Sequence, residues 1–131
     1  MAKNSGLVLV VDDYDDSRAT LREALEEMGH DVVEAANGQD ALDFLIFHSE
    51  LQVDLIILDL DMPVMNGWQL MALLRSYARL SKIPVVVVSA QASRIGESDR
   101  RWLAGCIQAP YDVPKLQALV RSIAAPANPV S

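Results

Sequence analysis

The sequence predicts an α/β fold, a parallel sheet covered by helices on both faces, and three observations carry that prediction. Leu7 to Val11, Leu55 to Leu58 and Val85 to Val88 are unbroken apolar runs, too continuous for strands with one wet face and too short for helices. Between them, apolar residues recur at helical spacing. Two of the runs give way at once to carboxylates, Asp12-Asp13 after the first and Asp59 after the second, where open α/β sheets gather their chemistry.

Each element follows in order. The first strand, Leu7 to Val11, leads into a helix over Asp15 to Met28 with Leu21, Leu25 and Met28 on one face and Gly29 suited to its C-terminus. Asp31 to Ala35 forms the second strand, and Leu42 and Leu45 mark a second helix after Asn37-Gly38. The third strand, Leu55 to Leu58, runs into Asp59-Leu60-Asp61-Met62-Pro63-Val64-Met65-Asn66-Gly67, and the third helix shows Leu70, Leu73, Leu74 and Tyr77 on one face. Val85 to Val88 is the fourth strand, ending in Ser89-Ala90, and Trp102 falls on the fourth helix, where burial and exposure to a partner stand equally open. Cys106 to Ala109, before Pro110, is a short fifth strand. The last helix starts near Asp112, an N-cap with Pro114 in the first turn, and buries Leu116, Leu119, Val120 and Ile123. Five βα units make one domain over residues 1–131, with a core from about 7 to 124 and residues 125–131 as a frayed end or linker stub.

Composition narrows the function. A chain of 131 residues with 51% hydrophobic content is long enough to bury one core, and a net charge of -7 argues against nucleic acid as a partner. The single cysteine, Cys106, excludes an internal disulfide and reads as a small apolar core residue; with two histidines it makes no zinc cluster. A reducing, cytoplasmic compartment fits. The apolar run before Asp12, Leu7 to Val11, is only five residues long, too short for a signal peptide or a membrane span. His30 and His48 fall near helix ends and read as surface residues.

If the first and third strands are neighbours, three carboxylates converge at one end of one sheet, and carboxylates rarely crowd without a cation. Singly, each residue has a blander reading. Asp12-Asp13 also suits a helix N-terminus, Asp61 a solvated turn that contributes only its backbone, and Ser89 a strand-end hydroxyl satisfied by the main chain.

The combination of strand-Asp-Asp, strand-Asp-x-x-Met-Pro-x-Met-Asn-Gly and a strand ending in Ser89-Ala90 resembles the receiver domain of two-component response regulators, from Leu7 to Ile123. The resemblance implies a flavodoxin-like doubly wound sheet of order 2-1-3-4-5. It also implies that Asp59 is the phosphoryl acceptor, Asp13 a direct Mg²⁺ ligand, Asp12 a ligand through water, and the Asp61 backbone carbonyl a further ligand. Ser89 becomes the switch hydroxyl that turns toward phosphoryl oxygens, a charge-assisted bond. Asp61 and Gln91, two residues beyond acceptor and hydroxyl, are placed to tune loss of the phosphoryl group to water. The implied partners are a histidine kinase or phosphotransfer protein upstream and a protein partner downstream, reached through the fourth helix, fifth strand and fifth helix of a stand-alone receiver with no output domain. Chemistry is confined to self-phosphorylation and self-dephosphorylation, so the chain is not read as an enzyme acting on other substrates.

The pattern breaks at one place. Family members carry a Lys before the Pro that ends the fifth strand, and here that residue is Ala109; no aromatic stands at the switch position, where Cys106 falls. At an effective dielectric near 20, like charges about 4 Å apart cost on the order of 4 kcal/mol, so an unneutralised site raises a carboxylate pKa or holds a metal ion more firmly. Lys3 and Lys82 are expected at the opposite end of the sheet and Lys115 a helical turn away, which leaves Arg94 as the cation expected to reach in.

The missing Lys supports an alternative, a degenerate receiver that binds a partner regardless of phosphorylation. A third reading notes that Ile56-Ile57-Leu58-Asp59-Leu60-Asp61 resembles the opening motif of haloacid-dehalogenase-type phosphatases. Order argues against it, because those enzymes place the motif at their first strand.

Overall fold

The computed structural model describes residues 6–124. Five strands and five helices alternate: β1 (Leu7–Val11), α1 (Asp15–Glu27), β2 (Asp31–Ala35), α2 (Gly38–Phe47), β3 (Val53–Leu58), α3 (Gly67–Ser76), β4 (Val85–Ser89), α4 (Glu97–Trp102), β5 (Gly105–Gln108) and α5 (Val113–Ala124). All pairings are parallel and the order is β2-β1-β3-β4-β5. This is the doubly wound, flavodoxin-like sheet.

The central strands β1, β3 and β4 are mostly apolar, and each of their faces meets helices. Leu9, Val11, Ile56, Leu58, Val85 and Val87 pack with Leu42, Leu45, Leu70, Met71 and Leu74 of α2 and α3. The alternate residues Val8, Val10, Leu55, Ile57, Val86 and Val88 pack with Leu21, Leu25, Leu116 and Val120 of α1 and α5. Period-two alternation therefore divides the side chains between two cores rather than between core and water.

Some boundaries differ from the sequence reading. β3 begins two residues earlier, at Val53, and β5 spans Gly105–Gln108 instead of Cys106 to Ala109. Gly105 joins the ladder because it pairs with Val86, close under Leu119 of α5. Tyr77 is the C-cap of α3 and 44% exposed, since the helix ends one residue short of it. His30 is buried, not a surface residue: its Nδ1 accepts the Gly6 N–H at 3.3 Å where the turn after α1 meets the start of β1. His48 is exposed, as expected. Gly29, φ 91°, takes the left-handed conformation that ends α1. Lys3 and the tail 125–131 lie outside the described residues.

Candidate functional site

The order β2-β1-β3 makes β1 and β3 neighbours at the point where the winding reverses, so residues just past their ends share one crevice. The Asp59 N–H donates to the Val11 carbonyl at 2.9 Å, which sets the Asp59 peptide beside the end of β1. Asp12, Asp13 and Asp59 each bring a carboxylate oxygen within 4.8 Å of the others. They are respectively buried, exposed and half-buried. A hollow of about 260 Å³ opens there, lined by Asp12, Tyr14, Ser17, Asp59, Asp61, Ser89, Ala90, Ala109 and Tyr111 among others, with no Lys or Arg.

Larger hollows of about 370 and 620 Å³ lie beside Asp54 at the N-terminal edge of the sheet and along β5 and α5. Neither brings three carboxylates together, so chemistry and not size marks the site.

Two loops carry the carboxylates, Asp12 and Asp13 on the one after β1 and Asp59 on the one after β3. Asp12 accepts the Tyr14 N–H at 3.0 Å and the Ser17 hydroxyl, while its carbonyl accepts Arg18 Nη1 at 2.7 Å. Arg18 also pairs with Asp15 and Glu34, tying the β1–α1 loop to β2. After β3, Leu60 and Met62 turn inward as buried anchors, and the Leu60 N–H donates to Asp59 Oδ1 at 2.7 Å. Val64, at φ 67° and 77% exposed, is a β-branched residue in the left-handed region, so the turn stores strain. Gly67 then brings α3 close: a Cβ there would lie 2.5 Å from the Asp59 carbonyl oxygen. Asn66 and Gln69 cap α3 reciprocally.

Burial pushes the Asp59 carboxyl above the usual carboxylate range; the Ser89 hydroxyl pulls it back, the Asp12 charge raises it, and the Leu60 and Asp61 N–H groups lower it. Ser89 is buried and its Oγ also accepts the Gln91 N–H at 3.0 Å. Asp61 is exposed and lines the hollow. Tyr111 stays protonated, its phenol raised by burial and by the charge of Asp12.

Arg94 does not reach in. It is exposed and its Nη1 donates to Gln91 Oε1 at 3.2 Å, because the 3-10 turn Ala92–Arg94 carries it away from the carboxylates. Lys82, just ahead of β4, is at the opposite end of the sheet, as expected. Cys106 is half-buried rather than enclosed; burial raises its thiol pKa while Arg100 opposes. Trp102 is half-buried against the core, with the Arg75 guanidinium 5.5 Å from its ring centroid.

Ser17, Arg18 and Gln108 belong to no motif that the sequence shows. Ser17 and Arg18 sit in the first turn of a helix that follows an acidic pair, a position from which side chains can hold the preceding loop. Gln108 had a fainter signal, a lone polar side chain closing an apolar strand.

Residues 8–121 match the sequence profile of a family described as the response regulator receiver domain. Among curated relatives, response regulator Rre1 of Synechocystis sp. is 34% identical over 90% of this chain, which spans 51% of that protein's length. The polar-differentiation response regulator DivK of Brucella anthropi is 30% identical over 88% of this chain and 93% of its own. A crystal structure of a Thermotoga maritima response regulator in complex with Mg²⁺–BeF superposes with a TM-score of 0.78 at 24% identity, over 90% of this chain and 98% of that one. No helix among the described residues is long and apolar enough to cross a membrane.

Proposed function

The chain belongs to the response regulator receiver domain family of two-component systems, and from that premise we propose that Asp59 accepts a phosphoryl group from a histidine kinase or phosphotransfer protein. One observation carries this reading, the convergence of Asp12, Asp13 and Asp59 beside the buried Ser89 hydroxyl. In the transfer an Asp59 carboxylate oxygen forms a bond to phosphorus as the P–N bond to the donor imidazole breaks. The nitrogen keeps the electron pair. Positioning and charge stabilisation carry most of the catalysis in such transfers.

The donor set fits Mg²⁺, a hard cation that takes oxygen ligands and retains waters. Asp12, Asp13 and Asp59 would hold it, with the Asp61 carbonyl, and when bound it supplies positive charge against the phosphoryl oxygens. The chain's own groups do the rest. The Ser89 hydroxyl and then the Leu60 and Asp61 N–H groups oppose the upward push of burial on the Asp59 carboxyl, Ser17 and the Tyr14 N–H orient Asp12, and Ser89 offers a hydroxyl donor to a phosphoryl oxygen. The phosphorylated state passes to a protein partner, and the chain's chemistry stays limited to gaining and losing its own phosphoryl group.

Acetyl phosphate with Mg²⁺ tests the proposal. Intact-mass spectrometry is expected to show one phosphoryl group on the wild type and none on Asp59→Asn. Equal labelling of both would sink the assignment of Asp59. A second reading, a receiver that binds its partner regardless of phosphorylation, draws support from a hollow with no Lys or Arg in its lining. It predicts no labelling and a partner affinity untouched by Asp59→Asn.

A further inference from the structure

Gln108 ends β5 as the ladder partner of Ser89. Its side-chain amide is turned onto the loop that follows β4. Nε2 donates to the Ala90 carbonyl at 2.7 Å and to the Ala109 carbonyl at 3.3 Å, while Oε1 accepts the Ser93 N–H at 3.0 Å. One planar amide thus grips the loop at both ends of its turn. The main chain adds Ala109 N–H to the Ser89 carbonyl at 3.0 Å, and Arg100 of α4 donates to the Ala92 carbonyl at 3.0 Å.

Ser89 and Ala90 line the acidic hollow; Gln108 does not. We propose that Gln108 is a positioning residue for phosphoryl transfer: by clamping Ala90 and Ser93 it fixes the loop that presents the Ser89 hydroxyl at Asp59. The physical reason is preorganisation. A donor already aimed at the position of an incoming oxygen costs no reorganisation when charge arrives. With no Lys or Arg in the lining of the hollow, the hydroxyl and the loop peptides carry a larger share of that stabilisation. Gln108 is exposed, so each of its bonds competes with water and is individually modest. The strength of the device lies in two bonds from one rigid group to one short loop.

This inference rests on Asp59 being the acceptor, and its test separates the two. The full-length wild type is compared with Gln108→Met, which keeps the arm and removes the amide, and Gln108→Glu, which keeps only the acceptor for Ser93. Hydrogen exchange is read at residues 90–95, and intact mass follows labelling by acetyl phosphate. In that reaction the Asp59 oxygen bonds to phosphorus as the P–O bond to acetate breaks, and acetate leaves with the electron pair. Gln108→Met is expected to raise exchange at Ser93 about tenfold, the factor that corresponds to about 1.4 kcal/mol. Its labelling slows severalfold, while the Mg²⁺ midpoint and exchange in β1 and β3 stay as in the wild type. Gln108→Glu falls between.

Faster exchange with undiminished labelling would make the clamp purely structural and overturn the proposal. So would unchanged exchange, or a slowing explained by a shifted Mg²⁺ midpoint. If the wild type itself takes no label, the acceptor assignment fails and this inference falls with it.

Discussion

The two halves of the sheet's C-terminal edge are built differently. At the ends of β1 and β3 the loops are anchored by buried side chains, Leu60 and Met62, and by N–H groups aimed at Asp12 and Asp59. At the ends of β4 and β5 the loop buries Ala92 and Ile95 and is also held from outside by the exposed Gln108 and Arg100. Ala109, half-buried in that second half, brings no charge to the hollow. The carboxylate half matches the family pattern, and the half that would carry a response to phosphorylation departs from it. Under the proposed function, acceptance and response would rest on different residues in the two halves.

The largest expected effect comes from restoring a cation to the second half. An ammonium about 4 Å from a carboxylate or phosphoryl oxygen is worth on the order of 4 kcal/mol at an effective dielectric near 20, before solvent screening of an open site. Ala109→Lys is therefore expected to enlarge the response while leaving Asp59 the acceptor. NMR shift changes on adding Mg²⁺ and beryllofluoride should reach further into Ala90 to Arg94 and β5 in the variant than in the wild type. Equal changes in both would mean that the missing cation does not damp the response.

Packing sharpens the contrast at smaller cost. A Cβ on Gly67 would lie 2.5 Å from the Asp59 carbonyl oxygen and 2.7 Å from Leu60 Cα, whereas one on Gly96 would meet nothing within 4 Å. Gly67→Ala must move backbone beside the acceptor, so a loss of about 1–3 kcal/mol is expected, with slower labelling of Asp59. Gly96→Ala meets no neighbour at an ordinary φ of -72°, and its cost, that of a poorer N-cap for α4, should stay below about 1 kcal/mol. Urea midpoints for the two variants measure the difference, and equal midpoints would show that the backbone at Gly67 gives way without cost.

These differences also explain what the sequence made legible. The strands and the acidic crevice could be read because buried runs and the carboxylates that close them leave a local pattern, as in Leu7 to Asp13 and Leu55 to Asp61. The sheet order came from family resemblance, not from periodicity. What escaped depended on contacts distant along the chain. His30 is buried because it meets Gly6, 24 residues away, and Gln108 matters through Ala90, 18 residues away. Arg94 was expected to reach in on loop membership alone, but a 3-10 turn decides where its side chain starts. No one-dimensional pattern encodes those meetings.

The smallest effect concerns the outer brace of the carboxylate half. Glu34 on β2 pairs with Arg22 and Arg18 of α1, and Arg18 also holds the Asp12 carbonyl. The Arg22 hydrogen bond, then that of Arg18, hold the Glu34 carboxyl below its ordinary value of 4.5, against an opposing contribution from burial. A carboxylate lowered in the folded state stabilises the fold above its unfolded pKa, and that contribution is lost as pH falls through the folded value. Glu34→Gln should therefore cost less than about 1 kcal/mol at neutral pH, since the pairs are partly exposed and screened by salt. The gap from the wild type should close as pH falls below 4.5. Urea denaturation of both proteins at neutral and acid pH measures it. A gap that widens in acid would show that Glu34 supports the loop through packing and not through charge.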